Sequence, residues 1–139
     1  SDYEEMYSKE REPAKDIERF VTDSICFTSC RLASRVEAAG IITMTHSGYT
    51  AYKISSQRPK AAVFVFSGNK KLLTQLSLVW GVKTFFYNKT VSTDHTIADI
   101  KYLLKKQGYV VEGDMIINTA SIPIEESGKT NMMKMSVVE

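Results

Sequence analysis

The segment richest in chemistry is Thr45-His46-Ser47-Gly48-Tyr49-Thr50, which sets three aliphatic hydroxyls, an imidazole and a glycine close together. An apolar run precedes it and a helical pattern follows it. It therefore sits where the first amides of a helix lack intrahelical acceptors. Such donors, with the helix dipole behind them, make an anion site, and Gly48 lets the backbone approach a phosphate closely. The spacing is neither that of a Walker loop nor that of a dinucleotide fingerprint, because the required glycines and the P-loop lysine are missing. On the residues alone two readings stand: an anion cradle, or a plain helix cap supplied by Ser47.

A second polar stretch, Glu125-Glu126-Ser127-Gly128-Lys129-Thr130-Asn131, also has two readings. Lys129 can close over an anionic ligand, or the stretch is a solvated connection. The remaining chemical groups read as structure. Cys26 and Cys30 lie four apart in a helical pattern, with His46 and His95 far off in sequence. A disulfide framework or a four-ligand zinc site needs more partners, so these are two small buried thiols and no metal site is expected. Asp94 beside His95 reads as a helix first turn, since adjacent helical residues do not face one another. No nucleophile–base pair is visible, and no catalytic residue is expected in this chain.

The elements that must position these groups follow from the hydropathy pattern. Pro13 suits a helix start, and Ile17, Phe20, Val21, Ile25, Leu32 and Val36 recur at helical spacing as far as Gly40. Ile41 to Thr45 reads as a strand buried on both faces. A helix from Tyr49 to Gln57 closes at Arg58-Pro59, and a second strand spans Ala61 to Phe66. After the turn Ser67-Gly68-Asn69, the residues Leu72, Leu73, Leu76, Val79 and Trp80 mark a helix that Gly81 stops. Val82 to Tyr87 is the third strand. Ser92 or Thr93 caps the next helix, with Ile97, Ile100, Leu103 and Leu104 as its stripe and Gly108 as its stop. A turn at Glu112-Gly113-Asp114 leads into Met115 to Ala120. The last strand, Met132 to Val138, has no helix before it and so runs antiparallel at an edge. The alternation implies a parallel sheet covered by helices on both faces.

With 139 residues, the chain has the size of one domain and is too short for a barrel of ~250 residues. We expect a tail over 1–12 and a single α/β domain over 13–139. Apolar types at 43% and charged types at 24% fit a globular protein. The formal charge is only +2, with acids spread among the lysines, which is no electrostatic footprint for nucleic acid. The basic clusters Lys70-Lys71, Lys105-Lys106 and Arg58-Pro59-Lys60 read as solvated helix ends. No apolar run approaches the ~18 residues of a membrane span, and the acidic start does not read as a signal peptide. The expectation is a cytoplasmic protein without a membrane partner.

The sequence resembles the C-terminal domain of pyruvate kinase from Val21-Thr22-Asp23-Ser24 onward. Thr45 to Ala51 (THSGYTA) is similar to that family's Thr-Lys-Ser-Gly-Arg-Ser-Ala. Arg58-Pro59, Trp80-Gly81-Val82, Glu112-Gly113-Asp114 and Ser127-Gly128-Lys129-Thr130-Asn131 follow in the family's order and spacing. The resemblance implies a three-layer α/β/α fold with a mixed five-stranded sheet of order 3-2-1-4-5, the last strand antiparallel. That order sets the loops after strands one and four side by side at the switch point, where ligands bind.

In similar enzymes this pocket takes an allosteric activator, often fructose 1,6-bisphosphate, and the domain forms a subunit interface of a tetramer. Carried over by position, Thr45, His46, Ser47, Gly48, Tyr49 and Thr50 would hold the effector phosphate, while Ser127, Gly128, Lys129 and Thr130 would form the closing loop. This chain departs from the animal and fungal pattern. His46 replaces a lysine, Tyr49 replaces an arginine, and the stretch 88–96 lacks the tryptophan and arginine that hold a second phosphate. Fewer fixed cations weaken a bisphosphate site, which turns the expectation toward a monophosphate such as glucose 6-phosphate, ribose 5-phosphate or AMP, or toward no effector.

The parent reaction implied is phosphoenolpyruvate plus ADP to pyruvate plus ATP, in glycolysis, with magnesium and potassium in a barrel domain that holds the catalytic residues. The resemblance thus implies a fragment without cofactor or turnover of its own. Its expected partners are a sugar phosphate or nucleotide effector, its own barrel, and further copies in a dimer or tetramer paired through the edge strand. The alternative is a free-standing small-molecule-binding or transferase module using the same pocket.

Overall fold

Near-continuous apolar runs in the middle of the chain can be buried only in the centre of a sheet, and there they lie. The structure, a computed structural model, describes residues 14–121 and 129–139, with side chains from Ile17 onward. The order of elements is α1 (Ala14–Arg35), β1 (Gly40–Met44), α2 (Tyr49–Ser56), β2 (Ala62–Ser67), α3 (Lys70–Leu76), β3 (Val82–Phe86), α4 (Thr93–Lys106), β4 (Met115–Ala120) and β5 (Met132–Val137). The expected tail over 1–12 and the loop residues Ser127 and Gly128 lie outside the described residues.

The five strands form one sheet in the order β3-β2-β1-β4-β5. β1 pairs in parallel with β2 and β4, β2 in parallel with β3, and β4 antiparallel with β5. The fold is therefore the mixed α/β arrangement expected. Alternation along the strands sends Ile41, Val63, Val65 and Ile117 to one face, under α1, α2 and α3. Ile42, Phe64, Phe66 and Ile116 go to the other face, under Ile100 and Leu104 of α4. Gly40 is required here because a Cβ would collide with the Phe64 ring.

Three details depart from the sequence reading. The first helix ends at Arg35, not at Gly40. Glu37 turns left-handed (φ 52°), and the Ala38 amide donates to the Ala33 carbonyl at 2.9 Å, closing the helix in a Schellman-type turn. The buried face of α1 also differs from the expected stripe. Ile17 and Val21 are exposed, while Thr22, Asp23, Cys26, Ser29 and Ala33 are buried. Small and hydroxylic side chains on that face let the helix approach the sheet closely, which a row of large residues would prevent.

Thirdly, α3 stops at Leu76. Ser77 Oγ donates to the Thr74 carbonyl at 2.6 Å, and Val79 and Trp80 lie in the turn beyond. Trp80 is half exposed, with the Arg58 guanidinium 4.6 Å from its ring centroid. The tryptophan closes the turn instead of extending the helical stripe.

Candidate functional site

β1 delivers Thr45 to the carboxyl end of the sheet, where Thr45 N still donates to the Phe66 carbonyl at 3.2 Å. The chain then turns sharply into α2. Gly48 sits at φ 87°, a left-handed conformation that costs an L-residue about 1–2 kcal/mol. A Cβ there would also meet Leu72 Cδ1 at 2.9 Å. Gly48 is the N-cap of α2 and has no side chain to cap with. Ser47 is not the capping residue. Its Oγ accepts from Tyr49 N at 3.4 Å, while Thr45 Oγ1 accepts from Gly48 N at 2.8 Å. These bonds fix the loop and leave the amides of the second and third helical residues, Thr50 and Ala51, without a side-chain cap.

The loop after β4 meets this turn from the other side. Thr50 and Thr130 share a hydrogen bond of 2.8 Å between their Oγ1 atoms, and Thr22 Oγ1 donates to the Thr130 carbonyl at 3.0 Å. All three threonines are buried. They knit α1, α2 and the end of the β4–β5 connection into one wall. Between these segments lies a hollow of about 290 Å³ lined by Thr22, Thr45, His46, Ser47, Tyr49, Thr50, Lys129 and Thr130, with Met44 at its base. Of the residues expected at the site, Thr45 to Thr50 and Lys129 to Thr130 thus come together. His46, Ser47 and Lys129 are solvent-exposed on its rim.

Tyr49 organises the charge beside the hollow. Its hydroxyl donates to Asp23 Oδ1 at 2.7 Å, and Lys53 Nζ lies 3.6 Å from Asp23 Oδ2. Burial first, and then the bond to the Asp23 carboxylate, push the Tyr49 hydroxyl well above the ordinary phenol range. Arg19, Lys53 and Lys129 place their cationic groups 5.7, 5.8 and 5.9 Å from the ring centroid. Arg19, Thr22, Asp23 and Lys53 did not stand out as site residues in the sequence. The signal that could have found one of them, Thr22, is the small-residue period Thr22, Cys26, Ser29, Ala33, which marks the inner face of α1.

A second hollow, of about 310 Å³, lies across Thr45 and His46 from the first, between Phe66, Asn69, Tyr87 and Lys89. Its charge is already balanced. Asp99 Oδ2 accepts from Tyr87 Oη at 2.8 Å and lies 3.6 Å from Lys89 Nζ, and Asp99 Oδ1 lies 3.5 Å from His95 Nε2. The Tyr87 hydrogen bond, aided by Lys89 and His95, holds the Asp99 carboxyl below its ordinary value. The acidic partner of His95 is therefore Asp99, one helical turn on, while Asp94 pairs with Lys134 at 3.6 Å.

The two cysteines are free, Cys26 fully buried and Cys30 partly so. Burial pushes the Cys26 thiol up to about 12 and the Cys30 thiol to about 11. Neither provides a thiolate at neutral pH. Among the described residues no three His, Cys, Asp or Glu side chains converge on a metal position, and no helix is long and apolar enough to cross a membrane.

Residues 23–136 match the family described as pyruvate kinase, alpha/beta domain. The chain is 38% identical to a pyruvate kinase of Clostridium acetobutylicum over 118 residues, which is 85% of this chain and 25% of the relative. It is 35% identical to one of Lactobacillus delbrueckii subsp. bulgaricus over 85% of this chain and 20% of the relative, and 32% identical to one of Geobacillus stearothermophilus over 89% and 21%. The chain thus spans a quarter or less of these relatives. The sheet order, the antiparallel last strand and a match across most of the chain agree, and the chain belongs to the pyruvate kinase alpha/beta-domain family.

Proposed function

We propose that this chain is the effector-binding and oligomerisation domain of a pyruvate kinase. In this reading the parent enzyme makes pyruvate and ATP from phosphoenolpyruvate and ADP in the cytoplasm, with its catalytic residues, magnesium and potassium in a barrel domain. The alpha/beta domain contributes no catalytic group. The single observation that carries the effector reading is the hollow between the α2 N-terminus and Lys129-Thr130, where uncapped amides, hydroxyls and cations converge. That combination recognises a phosphate through backbone donors and fixed positive charge.

The effector of this reading carries one phosphate. Among the described residues no carboxylate pairs with Arg19 or Lys129 beside the first hollow, whereas Lys89 at the second is paired with Asp99. A sugar monophosphate or a nucleoside monophosphate, with its phosphate at Ser47 to Thr50 and its neutral body toward the second hollow, fits this distribution better than a bisphosphate. The oligomer reading rests on β5, which as the last strand of the sheet pairs with no further strand among the described residues and carries exposed Met135 and Val137.

The test is thermal unfolding with glucose 6-phosphate, ribose 5-phosphate, AMP and fructose 1,6-bisphosphate. A ligand at 100 times its Kd stabilises the folded state by about 2.7 kcal/mol, so at least one monophosphate raises the Tm by several degrees. No shift with any of them overturns the effector reading.

A further inference from the structure

We infer that Tyr49 is a positioning residue for the anion site: its ring, pinned through its hydroxyl to buried Asp23, gathers Arg19, Lys53 and Lys129 into a cationic collar matched to one phosphate dianion. The inference rests on the effector reading above and deepens it. The three cations come from three separate pieces of chain, α1, α2 and the connection before β5. Left to themselves, like charges on long side chains spread apart. Here each has a common neighbour, an aromatic ring whose faces are negative by its quadrupole.

Asp23 fixes that neighbour. It is 8% exposed, and its two oxygens take the Tyr49 hydroxyl at 2.7 Å and Lys53 at 3.6 Å. With one oxygen on the ring's hydroxyl and the other on a cation, the carboxylate holds the ring in place and offsets part of the positive charge. Among the described groups that touch the ring or its hydroxyl, three positive charges stand against one negative, a balance of two. A phosphate monoester carries about −1.5 to −2 at pH 7. The collar is thus complementary to one such group and oversupplied for a carboxylate.

Position strengthens the assignment. Tyr49 is the first residue of α2, directly after the left-handed Gly48, and lines the same hollow as Thr50 and Lys129. A ring at this point holds Lys129 beside the uncapped amides. An arginine here would put a cation into the hollow directly. A tyrosine instead recruits cations from its neighbours, so removing the ring moves charges that the substitution does not touch.

The experiment titrates inorganic phosphate into the 139-residue chain, following amide shifts at low and at moderate ionic strength. Tyr49→Leu removes the ring, Tyr49→Phe keeps the ring and removes the bond to Asp23, and far-UV circular dichroism with thermal unfolding confirms that each variant is folded. Tyr49→Leu weakens phosphate binding about ten-fold and flattens its salt dependence, and Tyr49→Phe weakens it about three-fold. A purely structural role would lower the Tm and leave the salt dependence of binding unchanged, and that result overturns the inference. Wild-type affinity in a folded Tyr49→Leu also overturns it while leaving the effector reading intact. Failure of the unmodified chain to bind phosphate overturns both. If Tyr49→Leu does not fold, Tyr49→Phe decides: a loss of affinity with a flattened salt dependence supports the collar, and unchanged binding contradicts it.

Discussion

Thr50 and Thr130, eighty residues apart in the chain, share a 2.8 Å hydrogen bond between buried hydroxyls at the wall of the candidate site. The bond exists because the sheet order sets β1 beside β4, so that the segments after these strands arrive at the same place. Replacing one partner by valine leaves the other hydroxyl buried and unmatched. Thr130→Val therefore costs about 1–2 kcal/mol of unfolding free energy in urea. The double variant with Thr50→Val costs less than the sum of the singles, with a coupling of about 0.5 kcal/mol or more. Strict additivity contradicts a shared bond.

Gly48 is the other fixed point of the wall. Gly48→Ala forces an L-residue into a left-handed conformation and drives its Cβ against Leu72. We expect a loss of about 1–2 kcal/mol from backbone strain, read from chemical denaturation, together with weaker phosphate binding because the turn presents the α2 amides. A fully stable Gly48→Ala with unchanged binding would show that the turn does not set the site.

Asp99 predicts a pH dependence. Its folded pKa is depressed, chiefly by the Tyr87 hydrogen bond and then by Lys89 and His95. Its contribution is therefore present above the unfolded carboxyl value of ~3.9 and is lost as pH falls below it toward the lower folded value. Urea midpoints between pH 6 and 3 fall more steeply for the unmodified chain than for Asp99→Asn. Parallel curves contradict this account.

The raised thiols act at the other end of the scale. Since the folded state holds the Cys26 proton up to about 12, stability falls as pH rises above the unfolded thiol value of ~8.5. At neutral pH neither thiol is a ready nucleophile, so maleimide labelling of Cys26 proceeds only through unfolding and accelerates sharply in denaturant. Rapid labelling of Cys26 in the native state would contradict its burial.

For the oligomer reading, Met135→Lys places a charge on the exposed edge of β5. It reduces self-association in sedimentation velocity while leaving the monomer's stability within about 0.5 kcal/mol. Self-association that survives the substitution places the contact elsewhere.

The sequence carried the sheet clearly, because Ile41 to Met44 and Val63 to Phe66 have few other places to go than a buried central strand. The turn at Ser47-Gly48 was legible too, since turn residues declare themselves locally, although the cap of α2 is Gly48 and not Ser47. What the sequence hid depends on tertiary contacts. Periodicity made Ile17 and Val21 part of a buried stripe, but the close approach of α1 to the sheet selected Thr22, Cys26, Ser29 and Ala33. Asp23 and Arg19 look like ordinary helical charges until α1 is laid across Tyr49. Trp80 reads as helix because its spacing fits. Ser77 ends α3 first, through a bond from its side chain back to the Thr74 carbonyl. The Asp99 partner of His95 is legible at i,i+4 spacing, whereas the sequence reading weighed only adjacent Asp94 and set it aside.

The most direct test is a residue-resolved amide titration with a sugar monophosphate or AMP. The account predicts saturable shifts concentrated at His46 to Ala51 and at Lys129-Thr130, with Thr50 and Ala51 among the largest. Saturable shifts centred elsewhere in the sheet or helices, with residues 46–51 unmoved, would contradict it.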